Sequence, residues 1–150
     1  MARRLPGIWN RPLPMESGIS RLFDEFFRDF GEVGFDFSPG LGRTDIYEKD
    51  RNLVFETELP GMKRGDIEIK VEDDRLSISG EMKRAEEVNE ESYFRIGRRY
   101  GQFQRSFPLP VDMVDTGNIK ARFADGILKL TLPLKESIKE KEKPIRVEVE

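Results

Sequence analysis

Hydrophobic positions along this chain follow two different periods, and the change between them divides it. Ile19, Leu22, Phe23, Phe26, Phe27 and Phe30 follow the spacing i, i+3, i+4, i+7, i+8 and i+11. At ~100° per residue they fall within an arc of about 140°, the apolar stripe of an amphipathic helix. Ser17 or Ser20 can cap its start and Gly31 can end it. Residues 1 to 16 are proline-containing and aperiodic, which predicts an irregular arm. After the helix, "GEVGFDFSPGLG" carries Phe35 and Phe37 through a glycine- and proline-rich joint.

From about residue 44 the period becomes two. Leu53, Phe55, Thr57 and Leu59 share one face of "NLVFETEL", while Ile67, Ile69 and Val71 alternate with charge in "DIEIKVED". Each pattern predicts a half-buried strand. Leu76 and Ile78 continue the alternation in "RLSISGEM", and Asp73-Asp74 supplies a tight turn, so residues 67 to 80 are a predicted hairpin. A second hairpin joins "NIKARF" to "ILKLTLP" through Ala124-Asp125-Gly126. Strands recurring roughly every ten residues without a helix between them predict an all-β fold, an immunoglobulin-like antiparallel β-sandwich. The expected organisation is an N-terminal arm with its helix at 1–43, the sandwich at 44–134 and a C-terminal extension at 135–150.

Two segments break the regularity. "EMKRAEEVNEESYFRIG", residues 81 to 97, is too long and charged for a hairpin turn and too poor in apolar residues for a core helix. Connections of this length are usually functional. In the tail, "KESIKEKEKP" reads as a charged tether ending in "IRVEVE", where Ile145, Val147 and Val149 alternate like a short strand. Fully extended, residues 134 to 144 would span roughly 35 Å.

Composition narrows the chemistry. Among 150 residues, 37% are charged, 29 acidic against 26 basic, a near balance that argues against a dedicated polyanion binder. The absence of cysteine excludes disulfides and thiolate metal sites, and the absence of histidine removes the usual general base and the commonest transition-metal ligand. No catalytic, cofactor or metal site is expected. The carboxylate pairs Glu86-Glu87 and Glu90-Glu91 read as a solvated loop, and Asp73-Asp74 as a turn. Phosphate-binding glycine loops are absent. With no apolar run near the ~18 residues of a membrane span, the expected location is the cytoplasm, without integral membrane association.

One stretch supports a rival reading. "YFRIGRRYGQFQR", residues 93 to 105, interleaves Arg95, Arg98, Arg99 and Arg105 with Tyr93, Phe94, Tyr100 and Phe103. Such a surface suits single-stranded nucleic acid, through base stacking and phosphate contacts. The pI of about 5.3 and the acidic segment just upstream favour pairing within the chain or between subunits instead, with no nucleic acid partner. A scaffold that oligomerises without protecting other proteins is a third possibility.

Four motifs, in order, resemble the small heat-shock proteins related to alpha-crystallin. Glu58-Leu59-Pro60-Gly61 looks like the family's E-L-P-G turn, and "YGQFQRSFPLP" is similar to its G-x-F-x-R-x-F-x-L-P segment. "IKARFADGILKLTLP" resembles its A-x-x-x-x-G-V-L stretch, with Ile127 in place of valine, and Ile145-Arg146-Val147 stands where its C-terminal I-x-I/V motif does. The resemblance implies an ATP-independent holdase, a homo-oligomer built from dimers that captures unfolding client proteins. It implies that residues 81 to 97 carry a dimer-forming strand through Tyr93, Phe94, Arg95 and Ile96, with Arg105 near the interface and acidic residues of the connection as its partners. It implies that Ile145 and Val147 anchor in a groove lined by Ile67, Ile69 and Val71 on one side and Ile119, Ala121 and Phe123 on the other. The aromatic helix, with Phe35 and Phe37, is then client-binding surface held outside a sandwich that closes without it.

Overall fold

Alternating side chains make the strands of this protein, and its turn residues decide which strands become neighbours. The computed structural model describes residues 18–30, 40–141 and 147–149. In chain order the elements are helix α1 (Gly18–Phe30), strands β1 (Thr44–Lys49), β2 (Asn52–Glu58), β3 (Ile67–Glu72), β4 (Arg75–Met82), β5 (Gly101–Pro108), β6 (Lys120–Ala124) and β7 (Ile127–Pro133), and helix α2 (Glu136–Lys141). Three hairpins turn on two residues in left-handed conformation: Asp50-Arg51, Asp73-Asp74 and Asp125-Gly126. Two consecutive positive φ angles match the right-handed twist of the flanking strands, and aspartate and glycine tolerate that conformation better than most residues.

The strands form two antiparallel sheets, one ordered β1-β2-β7-β6 and the other β3-β4-β5. The central pair β2–β7 sets Leu53 opposite Leu132, Phe55 opposite Leu130 and Thr57 opposite Leu128. The apolar members of these pairs share one buried cluster with Leu76 and Ile78 of β4 and Phe107 of β5. The rings of Phe55 and Phe107 meet with centroids 5.7 Å apart. Thr57, though fully buried, shares a 2.8 Å hydrogen bond with the Thr44 hydroxyl, so its polar atom is satisfied. Two family motifs also meet: the Leu59 amide donates to the Gly126 carbonyl at 2.7 Å, and a β-carbon on Gly126 would lie 3.2 Å from Pro60 Cα. The Pro60-Gly61 turn therefore packs against the β6–β7 turn.

The structure differs from the sequence reading at both ends of the sandwich. Phe23 of α1 is only 4% exposed and belongs to the core cluster, with Phe27 packed against it, and the Ser20 hydroxyl donates to the Glu48 carboxylate on β1. Sheets of four and three strands do not enclose the whole cluster by themselves, so the helix is docked rather than held apart. The expected tether contains α2, where Ile138 is buried and the Lys135 amide donates to the Met113 carbonyl at 2.9 Å. One apolar side chain with a place in the core outweighs the charge of its neighbours, and packed structure continues to Ile138. At ~1.5 Å rise, six helical residues span roughly 9 Å rather than the ~20 Å of an extended chain, which shortens the reach of the tail.

Candidate functional site

The free edges of the two sheets create the first feature. β3 and β6 each end a sheet, and residues from both line an open groove of about 300 Å3. Because strand side chains alternate, Ile67 and Ile69 of β3 and Ala121 and Phe123 of β6 face this groove, joined by Arg64, Arg122 and Leu128. Of the other two expected residues, Val71 is exposed farther along β3, and Ile119 lies before β6, half-buried against the core. Leu128 is the register partner of Phe123, a relation that follows once the Asp125-Gly126 hairpin is closed. Arg122, from the opposite face of β6, was missed because the apolar pattern passes over it.

The connection from Met82 to Gly101 forms the second feature. It contains a single 3-10 turn, Glu90–Ser92, and no strand. Phe94 is fully exposed and Ile96 is 62% exposed, with Arg95 also at the surface. Tyr93 is held differently. The Arg84 guanidinium lies 4.8 Å from the Tyr93 ring centroid and 4.7 Å from that of Tyr100, and Arg98 covers Tyr100 at 5.1 Å. These are cation–π distances. Arg84, which the sequence pattern does not single out, thus clasps both ends of the segment, and the Tyr100 ring, which the rival reading would stack on bases, is already engaged by arginines.

Arg105 stands apart from this exposed stretch. It lies on the core side of β5, opposite Ile78 in register and 4% exposed, and its Nε donates to the Leu41 carbonyl at 2.9 Å. Gly42, at φ +89°, makes this approach possible, since a β-carbon there would fall 2.7 Å from Arg105 Cγ. Within its own chain Arg105 is thus held against residues 41 and 42, a contact that the apolar pattern does not announce. Alternation along β5 turns Arg105 inward with Phe103 and Phe107, so the arginine is drawn under the segment that leads into β1.

The aromatic helix splits its residues between two environments. Phe23 is core, a correction to its expected place on a client-facing surface. Phe26 and Phe27 are half-buried with their rings edge-to-face at 5.2 Å, and Leu22 is 44% exposed. The side chains of Ile19 and Phe30 are outside the described residues, as are Phe35 and Phe37. In the tail Ile145 is likewise outside them, while Val147 is 80% and Val149 97% exposed.

Among the described residues no group of three or more acidic side chains is placed to hold a metal ion, and no helix is long and apolar enough to cross a membrane. A wider hollow of about 790 Å3 lies over Ser79, Glu81, Gln102 and Gln104, where Lys83 stands 3.8 Å from Asp66. It brings none of the expected site residues together except Ile67. Tyr47 is shifted upward to a pKa of about 12, chiefly by its hydrogen bond to Glu56.

Comparison with known proteins converges on one family. The Hsp20/alpha crystallin family profile matches residues 45–150. Small heat shock protein C2 of Rickettsia felis is 37% identical over 144 residues, covering 91% of this chain and 93% of its own. Among solved structures, a small heat-shock protein from Xylella fastidiosa is 34% identical and superposes with a TM-score of 0.59, over 75% of this chain and 99% of that one. Heat shock protein 16.0 from Schizosaccharomyces pombe is 27% identical with a TM-score of 0.62, over 79% and 98% respectively.

Proposed function

The chain belongs to the Hsp20/alpha-crystallin family of small heat shock proteins, which are chaperones, and from that premise we propose that it is an ATP-independent holdase of the cytoplasm, assembled from dimers into a large homo-oligomer. The observation that carries this reading is apolar surface left outside the sandwich at several places on one chain. Phe94 and Ile96 project from the long connection, Val147 and Val149 from the tail, and Leu22 from α1. Such side chains gain by burial against another surface, at roughly 25 cal/mol per Å2.

Each surface has a geometrically suited use. The stretch of Tyr93, Phe94, Arg95 and Ile96 joins the dimer by adding a strand to a partner, and β1, the edge of its sheet among the described residues, is able to receive one. Ile145 and Val147, two apart in an extended tail, point to the same side and fill the groove of Ile67, Ile69, Ala121 and Phe123 on a neighbouring subunit. Leu22, Phe26 and Phe27, with Ile19, Phe30, Phe35 and Phe37, offer adaptable apolar contact to unfolding clients. No step in this scheme uses a nucleotide or a cofactor.

The test is light scattering of a heat- or reductant-denatured client, without ATP, with the protein added up to equal mass. Suppressed scattering is expected. Unchanged scattering at every ratio and at raised temperature rejects the holdase reading.

A further inference from the structure

We propose that the basic edge of β6, Lys120 and Arg122, selects and orients the acidic end of the tail, Glu148 and Glu150, of a second copy of the chain. This rests on the reading above, in which the tail occupies the groove, and adds what fixes its register and direction. On the outward face of the four-stranded sheet, register aligns Asp45 with Glu56, Glu56 with Lys129 and Lys129 with Arg122. Charge along this row runs acidic, acidic, basic, basic and then stops at the free edge of β6. Like charges directly opposite, as Lys129 and Arg122 are, disfavour one another. A strand added at that edge extends the row, and an acid beside Arg122 relieves the repulsion. Lys120, two residues away, presents the same sign on the same face.

The tail has the complementary pattern. Ile145, Val147 and Val149 alternate with Arg146, Glu148 and Glu150. With the apolar set turned into the groove, the charged set faces outward. Placing Glu148 beside Arg122 leaves two directions: in a parallel tail Arg146 falls beside Lys120, whereas in an antiparallel tail Glu150 does and Arg146 falls beside Ala124, next to Asp125. The antiparallel arrangement alone opposes no like charges; it sets Val147 beside Phe123 and Val149 beside Ala121, and carries Ile145 to the Asp125 end of the groove. The facing edge, β3, offers no equal match. Its outward row is Glu68, Lys70 and Glu72, with Lys70 already 3.4 Å from Glu68, so Glu148 beside Lys70 sets Glu150 against a glutamate in either direction.

The experiment uses the full chain carrying Ile145→Gly and Val147→Gly, which disables its own tail, and a fluorescent peptide of residues 141–150 followed by anisotropy. Arg122→Glu should weaken binding of the natural peptide by about two- to five-fold at low salt, and should favour a peptide with Glu148→Arg by a similar factor. Arg122→Gln should fall between. Because Arg122 is exposed, unchanged circular dichroism is expected for both variants. If the natural peptide binds with an affinity indifferent to residue 122, charge selection is overturned while the tail reading stands; if it does not bind at all, both fall. Direction is read by mixing a Lys120→Cys chain with a Glu150→Cys chain in this otherwise cysteine-free protein. A disulfide-linked pair supports the antiparallel tail, and its formation instead with Ala124→Cys overturns it.

Discussion

Gly80 shows how little freedom single positions retain in this sandwich. A β-carbon there would lie 2.3 Å from the Asp66 carbonyl oxygen and 2.8 Å from Met62 Cε. The methionine can move, but the carbonyl belongs to the backbone that leads into β3. Gly80→Ala should therefore destabilise the fold by about 1–3 kcal/mol, measured by urea denaturation, although alanine is no worse a strand former than glycine. Tyr47 provides a titration marker. Its phenol donates to Glu56, which raises the pKa to about 12 from an ordinary 10. The protonated phenol is the favoured form, so the stabilisation is complete below pH 10 and disappears as the pH climbs to about 12. In an ultraviolet titration of the three tyrosines, Tyr47→Phe should remove a step near pH 12. Neither feature was legible beforehand, since each depends on which atom of the adjoining hairpin strand, or of the turn before it, comes to lie beside one residue.

Among elements, strands were legible and docking was not. Leu53, Phe55, Leu76 and Ile78 announced their strands by simple alternation, and Asp73-Asp74 and Asp125-Gly126 announced two hairpins. The turn at Asp50-Arg51 was not announced, because arginine carries no preference for a left-handed backbone. The β2–β7 pairing joins segments about seventy residues apart in sequence, beyond any local signal. In the groove, Ile67, Ile69, Ala121 and Phe123 could be named because a family resemblance supplied the facing edges, whereas Leu128 required the hairpin register. For α1 the period gave the helix but not its rotation against the core. Phe23→Ala should cost about 3 kcal/mol, the lower end for a buried phenylalanine because α1 can lift away instead. Leu22→Ala should leave stability within about 0.5 kcal/mol while reducing client suppression in the scattering assay. A reversal of those two effects would exchange the roles assigned to the two faces.

At the scale of the whole molecule, the proposed assembly depends on many modest contacts, none strong alone. A tail in a groove buries two small apolar side chains, and closure of a ring or shell multiplies that into avidity. Replacing Ile145 and Val147 by glycine should therefore convert a large species into dimers, measured by size exclusion with light scattering. An unchanged mass would remove the tail from the assembly. The folding of α2 onto the core also limits how far apart neighbouring subunits can stand, because Ile138 holds the root of each tail close to its own sandwich.

The clasp at Arg84 bears on the thermodynamics of the proposed dimer contact. A free loop of this length loses much backbone entropy when its tip is gripped, at roughly 1–2 kcal/mol for each residue fixed. Here one guanidinium already pins Tyr93 and Tyr100, so part of that ordering is complete before a partner arrives. Phe94 and Ile96 are then offered on a finger with a fixed knuckle, and the partner has less disorder to remove.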